Sequence, residues 1–83
     1  MTIRLKTVCP EQLGELPNGA YEVPEGCSAV QALSACMAAA EVPPLPETQL
    51  KKLIYLRNST HIKPDEPLCA GDRLMVLRPL TGG

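Results

Sequence analysis

The residue types able to do chemistry are few in this chain and poorly spaced for one another. Cys9, Cys27, Cys36 and Cys69 are the only thiols and His61 the only imidazole. No Cys-x-x-Cys pair occurs and His61 stands eight residues from the nearest cysteine, so the paired spacing that holds zinc is missing and no metal is expected. Cys36 and Cys69 have two readings, a persulfide relay or simple packing as small hydrophobes; nothing beside them marks a low-pKa thiolate, which favours packing. His61 has no serine or cysteine nucleophile pattern near it and falls in an expected turn, where a solvated imidazole is the simpler reading. What remains is the end of the chain, "GDRLMVLRPLTGG". Glycine ends a packed element badly, because it buries no side chain and loses the most backbone freedom. Gly82 and Gly83 are therefore either a frayed end or a thin tail tipped by a carboxylate. Such a carboxylate, with a pKa near about 3.5, is ionised at neutral pH and a poor electrophile until something activates it.

Composition bounds what could carry that tail. The 83 residues fit one small domain, a size that buries only about 60% of its unfolded surface. The chain is 45% hydrophobic, yet it has no Phe or Trp and only Tyr21 and Tyr55, so its core must be aliphatic. Net charge is -1 with both signs mixed, so the field that draws a protein to nucleic acid or an anionic membrane is absent. The opening "MTIRLKTV" alternates charges and lacks the apolar stretch of a signal peptide or membrane span. A cytoplasmic protein with reduced cysteines is the expectation.

The elements follow from periodicity and punctuation. "TIRLKTV" sets Ile3, Leu5 and Val8 against Arg4 and Lys6 in the alternation of a half-buried strand that Pro10 ends. Turn residues at Pro17-Asn18-Gly19 and Pro24-Glu25-Gly26 bracket a short strand from Ala20 to Val23, antiparallel to the first. In "CSAVQALSACMAAAE", Ser28 and Gln31 have capping-box spacing, so a helix starts at Ser28. Val30, Leu33, Met37 and Ala40, with Ala29 and Cys36 beside them, form one apolar stripe. The helix must end before Pro43-Pro44, since proline disfavours helical geometry at Val42. "EVPPLPETQLKK" reads as a stiff proline-rich loop. "LIYLRN" is a strand with its turn at Asn58-Ser59, followed by a short piece around Ile62 that Pro64 stops. Leu68 plugs the core from a loop, Gly71-Asp72 makes a tight turn, and "RLMVLR" is a last strand apolar enough for burial on both faces. Arg57, Lys63, Arg73 and Arg78 form either a basic docking patch or solvated strand-edge charges.

One helix cannot cover two faces of a sheet, so the simplest assembly is α+β: a mixed sheet packed on one main helix, with a parallel pair joining the first and last strands. That is a β-grasp, or ubiquitin-like, arrangement. It makes residues 1–78 the domain and residues 79–83 a flexible tail that projects from a central strand.

"YEVPEGCSAVQAL", "RNST" and "PLCAGDRLMVLRPLTGG" together resemble the ubiquitin-like sulfur carriers, most closely the small subunit of molybdopterin synthase and next the thiamine-pathway sulfur carrier. The likeness covers the start of the helix and Leu53 to Gly83, about half of the chain. It implies a protein that is not itself an enzyme. A ubiquitin-activating-type adenylating enzyme would use ATP to adenylate Gly83, and a sulfur donor would convert it to a thiocarboxylate. Gly82, Thr81, Leu80, Pro79 and Arg78 would be read by that partner, and a larger synthase subunit is a further implied partner. No cofactor would be bound by the chain, in keeping with its lack of a Walker or glycine-rich nucleotide motif. Two other classes stand beside the carrier: a ubiquitin-like modifier joined to lysine through Gly83, and a plain interaction module with an idle tail.

Overall fold

The computed structural model describes residues 1–8 and 16–78. Strand β1 (Thr2–Thr7) alternates as expected, with Ile3, Leu5 and Thr7 buried and Arg4 and Lys6 exposed. Val8 does not continue the pattern; it lies beyond the strand and is 54% exposed. Strand β2 (Gly19–Glu22) runs antiparallel to β1, from Thr2 opposite Glu22 to Leu5 opposite Gly19. The chain start is fastened to this pair, because the Met1 ammonium donates to the Val23 carbonyl at 2.8 Å and the Val23 N–H returns a bond to the Met1 carbonyl.

Helix α1 (Ala29–Ala39) begins at the capping box: the Ser28 hydroxyl accepts from the Gln31 N–H at 3.2 Å and the Gln31 amide oxygen accepts from the Ser28 N–H at 3.0 Å. The next orphan donors of the helix start are met by a loop, since Ala29 and Val30 donate to the carbonyls of Glu66 and Pro64. Ala29, Val30, Ala32, Leu33, Cys36 and Met37 are buried, which is the expected stripe, while Ala40 is only half-buried at the C-cap. The helix stops earlier than proline alone requires. Glu41 takes a left-handed φ of 58°, and Glu41 and Val42 donate back to the carbonyls of Ala38 and Met37. These two bonds are a Schellman termination with glutamate in the position usually given to glycine.

The proline-rich connection is not all loop. Pro46 precedes a single turn of helix, α2 (Glu47–Leu50), which buries Leu50 and presents its carbonyl to the Tyr55 hydroxyl at 2.7 Å. One turn is too short to show a period, so sequence pattern could not reveal it. Strands β3 (Ile54–Arg57) and β4 (Thr60–Ile62) form a hairpin, with Asn58 and Ser59 both at positive φ, 51° and 71°, as a two-residue turn demands. Leu68 is buried, and Gly71, at φ 82°, turns the chain into β5 (Arg73–Leu77).

The five strands lie in the order β2-β1-β5-β3-β4, with β5 parallel to β1 and antiparallel to β3. The mixed sheet on one main helix is therefore present, as is the expected parallel pair. The burial of β5 differs from expectation. Leu74 and Val76 are buried, but Met75 and Leu77 are half-buried and Arg73 is exposed. Only one face of β5 meets the core, because no described helix covers the other.

Two substitutions test these local accounts. Ser28→Ala should cost about 1 kcal/mol through loss of the cap. Glu41→Gly should raise stability by up to about 1 kcal/mol by removing a left-handed non-glycine residue. Urea unfolding measures both, and a less stable Glu41→Gly protein would show that the glutamate side chain, not the Schellman backbone, closes this helix.

Candidate functional site

Strand β5 sets the point from which the last residues of the sequence continue. It occupies the middle of the sheet, held on one side by β1 and on the other by β3. Its last paired residue, Leu77, stands opposite Ile54 of β3, and the Val8 N–H donates to the Val76 carbonyl on the β1 side at 3.0 Å. The chain thus passes Arg78, which is exposed, from a point flanked by exposed Val8 and half-buried Ile54. Pro79, Leu80, Thr81, Gly82 and Gly83, the other residues expected to act, lie outside the described residues.

The face of the sheet away from α1 continues from that exit. Met75 stands between Lys6 of β1 and Leu56 of β3, and Leu56 is opposite His61 of β4. Ile54, Leu56, Met75 and Leu77 are all half-buried, so they form a low aliphatic strip with no described element over it. His61 is exposed at the edge of this strip, within β4 and not in a turn as the sequence suggested. At the end of the face remote from the tail, Arg4 and Arg73 are direct neighbours.

The expected basic patch is not brought together. Arg57 belongs to the helix side, where its guanidinium donates to the Pro67 carbonyl at 2.9 Å and pairs with Glu66 at 3.9 Å. Lys63 and Arg78 are exposed beyond the ends of their strands, and only Arg73 lies on the open face. Its companions there are Arg4 and Lys6, which alternation identified as solvent-facing without showing what they would face beside them.

The thiols divide by burial. Cys27 and Cys36 are buried in the core, and burial pushes the Cys36 thiol from 9.0 up to about 12, with the Cys27 sulfur adding to the shift. Burial raises the Cys27 thiol as well. Neither is a ready nucleophile. Cys69, expected to pack inside, is instead exposed. The reason is its loop: the Cys69 N–H donates to Asp72 Oδ2 at 2.7 Å and the neighbouring Leu68 takes the inward position. Cys9 lies outside the described residues.

This architecture, with its last described strand at the centre of the sheet, matches known proteins. The profile of the ThiS family matches residues 10–83. The chain belongs to the ThiS family. The resemblance to ubiquitin-like sulfur carriers read from the sequence is thereby upheld. Among solved structures it is similar to SAMP1 from Haloferax volcanii, with TM-score 0.67 and 18% identity over 100% of both chains. A second structure, of the small archaeal modifier protein 1 of H. volcanii, aligns with TM-score 0.67 and 17% identity over 95% of this chain and 98% of that one. A putative molybdopterin converting factor, subunit 1, from Pyrococcus furiosus aligns with TM-score 0.66 and 18% identity over 96% of this chain and 99% of its own. At this identity the structures establish the β-grasp fold. No curated protein matches the sequence. Among the described residues, no helix is long and apolar enough to cross a membrane.

The thiol assignment carries a measurable consequence. Alkylation of the folded protein, mapped by peptide mass analysis, should label Cys69 promptly and leave Cys27 and Cys36 unlabelled until the chain unfolds. Because the folded Cys36 pKa is raised, its contribution to stability is complete below 9 and is lost as pH climbs toward 12. Thermal unfolding should therefore fall progressively above about pH 9, and Cys36→Ala should flatten that fall. Equal labelling of Cys36 and Cys69 in the folded state would contradict the assignment.

Proposed function

We propose that this chain is a sulfur carrier protein whose reactive group is the Gly83 carboxylate, and that it works as a protein co-substrate with no catalytic centre of its own. The observation that carries the reading is the family match through Gly83 on a fold whose last described strand, the one that precedes the glycines in sequence, lies at the centre of the sheet. In the proposed cycle a ubiquitin-activating-type enzyme binds the chain. A Gly83 carboxylate oxygen attacks the α-phosphorus of ATP, pyrophosphate leaves, and the acyl adenylate forms. Hydrosulfide released by a sulfur donor then attacks the acyl carbon, AMP departs with the C–O bonding pair, and loss of the S–H proton leaves the thiocarboxylate. The chain's own contribution is presentation: Gly82 and Gly83 supply a backbone that passes through a channel too narrow for a Cβ, and Pro79, Leu80, Thr81 and Arg78 line its approach.

The proposed destination of the sulfur is cofactor biosynthesis of the molybdopterin synthase kind, with a larger synthase subunit as acceptor and the thiamine pathway as the alternative. Support comes from the similarity to a protein described as a molybdopterin converting factor subunit and from the uncovered aliphatic strip beside the tail exit, which offers a partner apolar area. The similarity to small archaeal modifier protein 1 keeps a modifier role as the competing outcome.

Intact-mass analysis of the protein from its native host separates the two. A carrier should appear with one terminal oxygen replaced by sulfur, whereas a modifier should yield a branched conjugate through Gly83. Gly82→Val should leave the unfolding transition unchanged and abolish adenylation by the host's activating enzyme. Adenylation of Gly82→Val at the wild-type rate would overturn the role given to the tail.

A further inference from the structure

The open face holds a second feature that presentation of a tail does not require. In the parallel pairing of β1 with β5, Arg4 stands directly opposite Arg73 on the same face, and Lys6 follows two residues along β1 beside Met75. Like charges placed side by side on one sheet face destabilise it unless something neutralises them. Among the described residues nothing does. No carboxylate pairs with Arg4, Lys6 or Arg73. Asp72, next to Arg73 in sequence, is 8% exposed and has its oxygens engaged by Asn58 Nδ2 at 3.2 Å and the Cys69 N–H at 2.7 Å. Glu66 is taken by Arg57 on the other side of the sheet, and Glu22 by the Met1 ammonium and the Thr2 hydroxyl.

The three cations line an open depression of about 700 Å³, rimmed by Asn58, Ser59 and Met75. Asn58 is itself fixed, because its Oδ1 accepts from the Arg73 N–H at 2.9 Å, so the hairpin turn and the start of β5 form one wall. The depression lies at the far end of the face from the tail. Arg73 begins β5 and Leu77 ends it, a separation of about 13 Å at roughly 3.3 Å per residue. Between them runs the aliphatic strip.

We infer that the Arg4–Lys6–Arg73 corner is a docking point for a carboxylate-bearing surface of a protein partner, which lays an apolar patch on the adjoining strip and so approaches the tail in a fixed orientation. A lone small anion would meet exposed, solvent-screened side chains and gain little. A nucleic acid would find only three cations on a chain of net charge -1 and an adjoining strip of aliphatic residues, with the single His61 imidazole at its edge and no Phe, Tyr or Trp described on that face to form a stacking platform. An acidic protein surface uses both parts: it buries the strip and pairs the cations at its rim, which sets orientation and association rate. The identity of that partner as the adenylating enzyme rests on the function proposed above; the corner's preference for carboxylates beside apolar groups does not.

Two measurements on the full chain test the inference. In the first, the isotope-labelled protein is titrated with a peptide of alternating glutamate and leucine and, separately, with inorganic pyrophosphate, a thymidine oligonucleotide and phosphatidylserine vesicles. The peptide should shift the amides of Arg4, Lys6, Asn58, Ser59, Arg73 and Met75, and the shifts should vanish in the Arg4→Glu/Arg73→Glu protein. Tighter binding of the pyrophosphate, oligonucleotide or vesicles, or peptide shifts that survive the charge reversal, would overturn it. Arg4→Gln/Arg73→Gln controls for folding, and relief of the like-charge pair should leave it at least as stable as wild type.

In the second, the host's adenylating enzyme is assayed with each variant. Charge reversal should raise KM about tenfold, since each exposed pair is worth roughly a two- to five-fold effect, with kcat unchanged and a weaker dependence of kcat/KM on salt. An unchanged KM overturns the corner as that enzyme's dock. Absence of adenylation with the wild-type chain instead counts against the sulfur-carrier reading, and the peptide titration then decides the corner by itself.

Discussion

A parallel pair of strands cannot be closed by a tight turn, and in this chain the pair is made by its first and last strands. Everything between Val8 and Asp72 is therefore the connection that returns the chain to β1. The helix, the short turn α2 and the β3–β4 hairpin all have to be accommodated inside that crossover. The result is that β5 sits in the centre of the sheet, with hydrogen-bonded neighbours on both sides. A last strand at an edge could fray with the residues that follow it. A central one anchors whatever comes after it, so Arg78 and the residues beyond start from a fixed point.

The same placement explains the unequal faces of the sheet. Helix α1 is rich in alanine and buries Leu33, Cys36 and Met37 against the inner face, where Tyr55, the one large aromatic of the core, is fully enclosed and donates its hydroxyl to Leu50. Among the described residues the outer face has no such cover, and it holds half-buried aliphatics between a cationic corner and the end of β5. An apolar strip left open on a small domain marks a place for another molecule to cover. The buried thiols belong to the inner face and to packing.

Much of this organisation is local and was legible. Ser28 and Gln31 announce the helix start because a capping box is a contact between residues three apart, and the alternation of Ile3 and Leu5 against Arg4 and Lys6 is visible in one strand alone. Asn58-Ser59 reads as a turn because few other residues accept positive φ there. The parallel pair followed from having one helix for one sheet. What was not legible depends on neighbours distant in sequence. The Arg4–Arg73 contact joins opposite ends of the chain, so no window of sequence contains it. The apolar run through Met75 and Leu77 suits burial on both faces, because hydrophobicity cannot report that no described element covers the second one. Arg57 was grouped with Arg73 by charge, although strand parity and the Glu66 partner put it on the other face. Cys69 was read as core by residue type, yet Leu68 holds the inward position in that loop. The Gly-Gly ending was readable as chemistry only through the family resemblance, since flexibility and a carboxylate are common to many chain ends.

One atom group is decisive for the proposed role, the main-chain acid of Gly83, which follows the central strand β5 in sequence. Its most direct measurement is exchange of labelled pyrophosphate into ATP by the host's activating enzyme, supplied either with the native chain or with the same chain made as its C-terminal amide. The native chain should support exchange and the amide, which folds identically but has no carboxylate to attack phosphorus, should support none. Exchange at equal rates with both would mean that the reactive group lies elsewhere in the molecule.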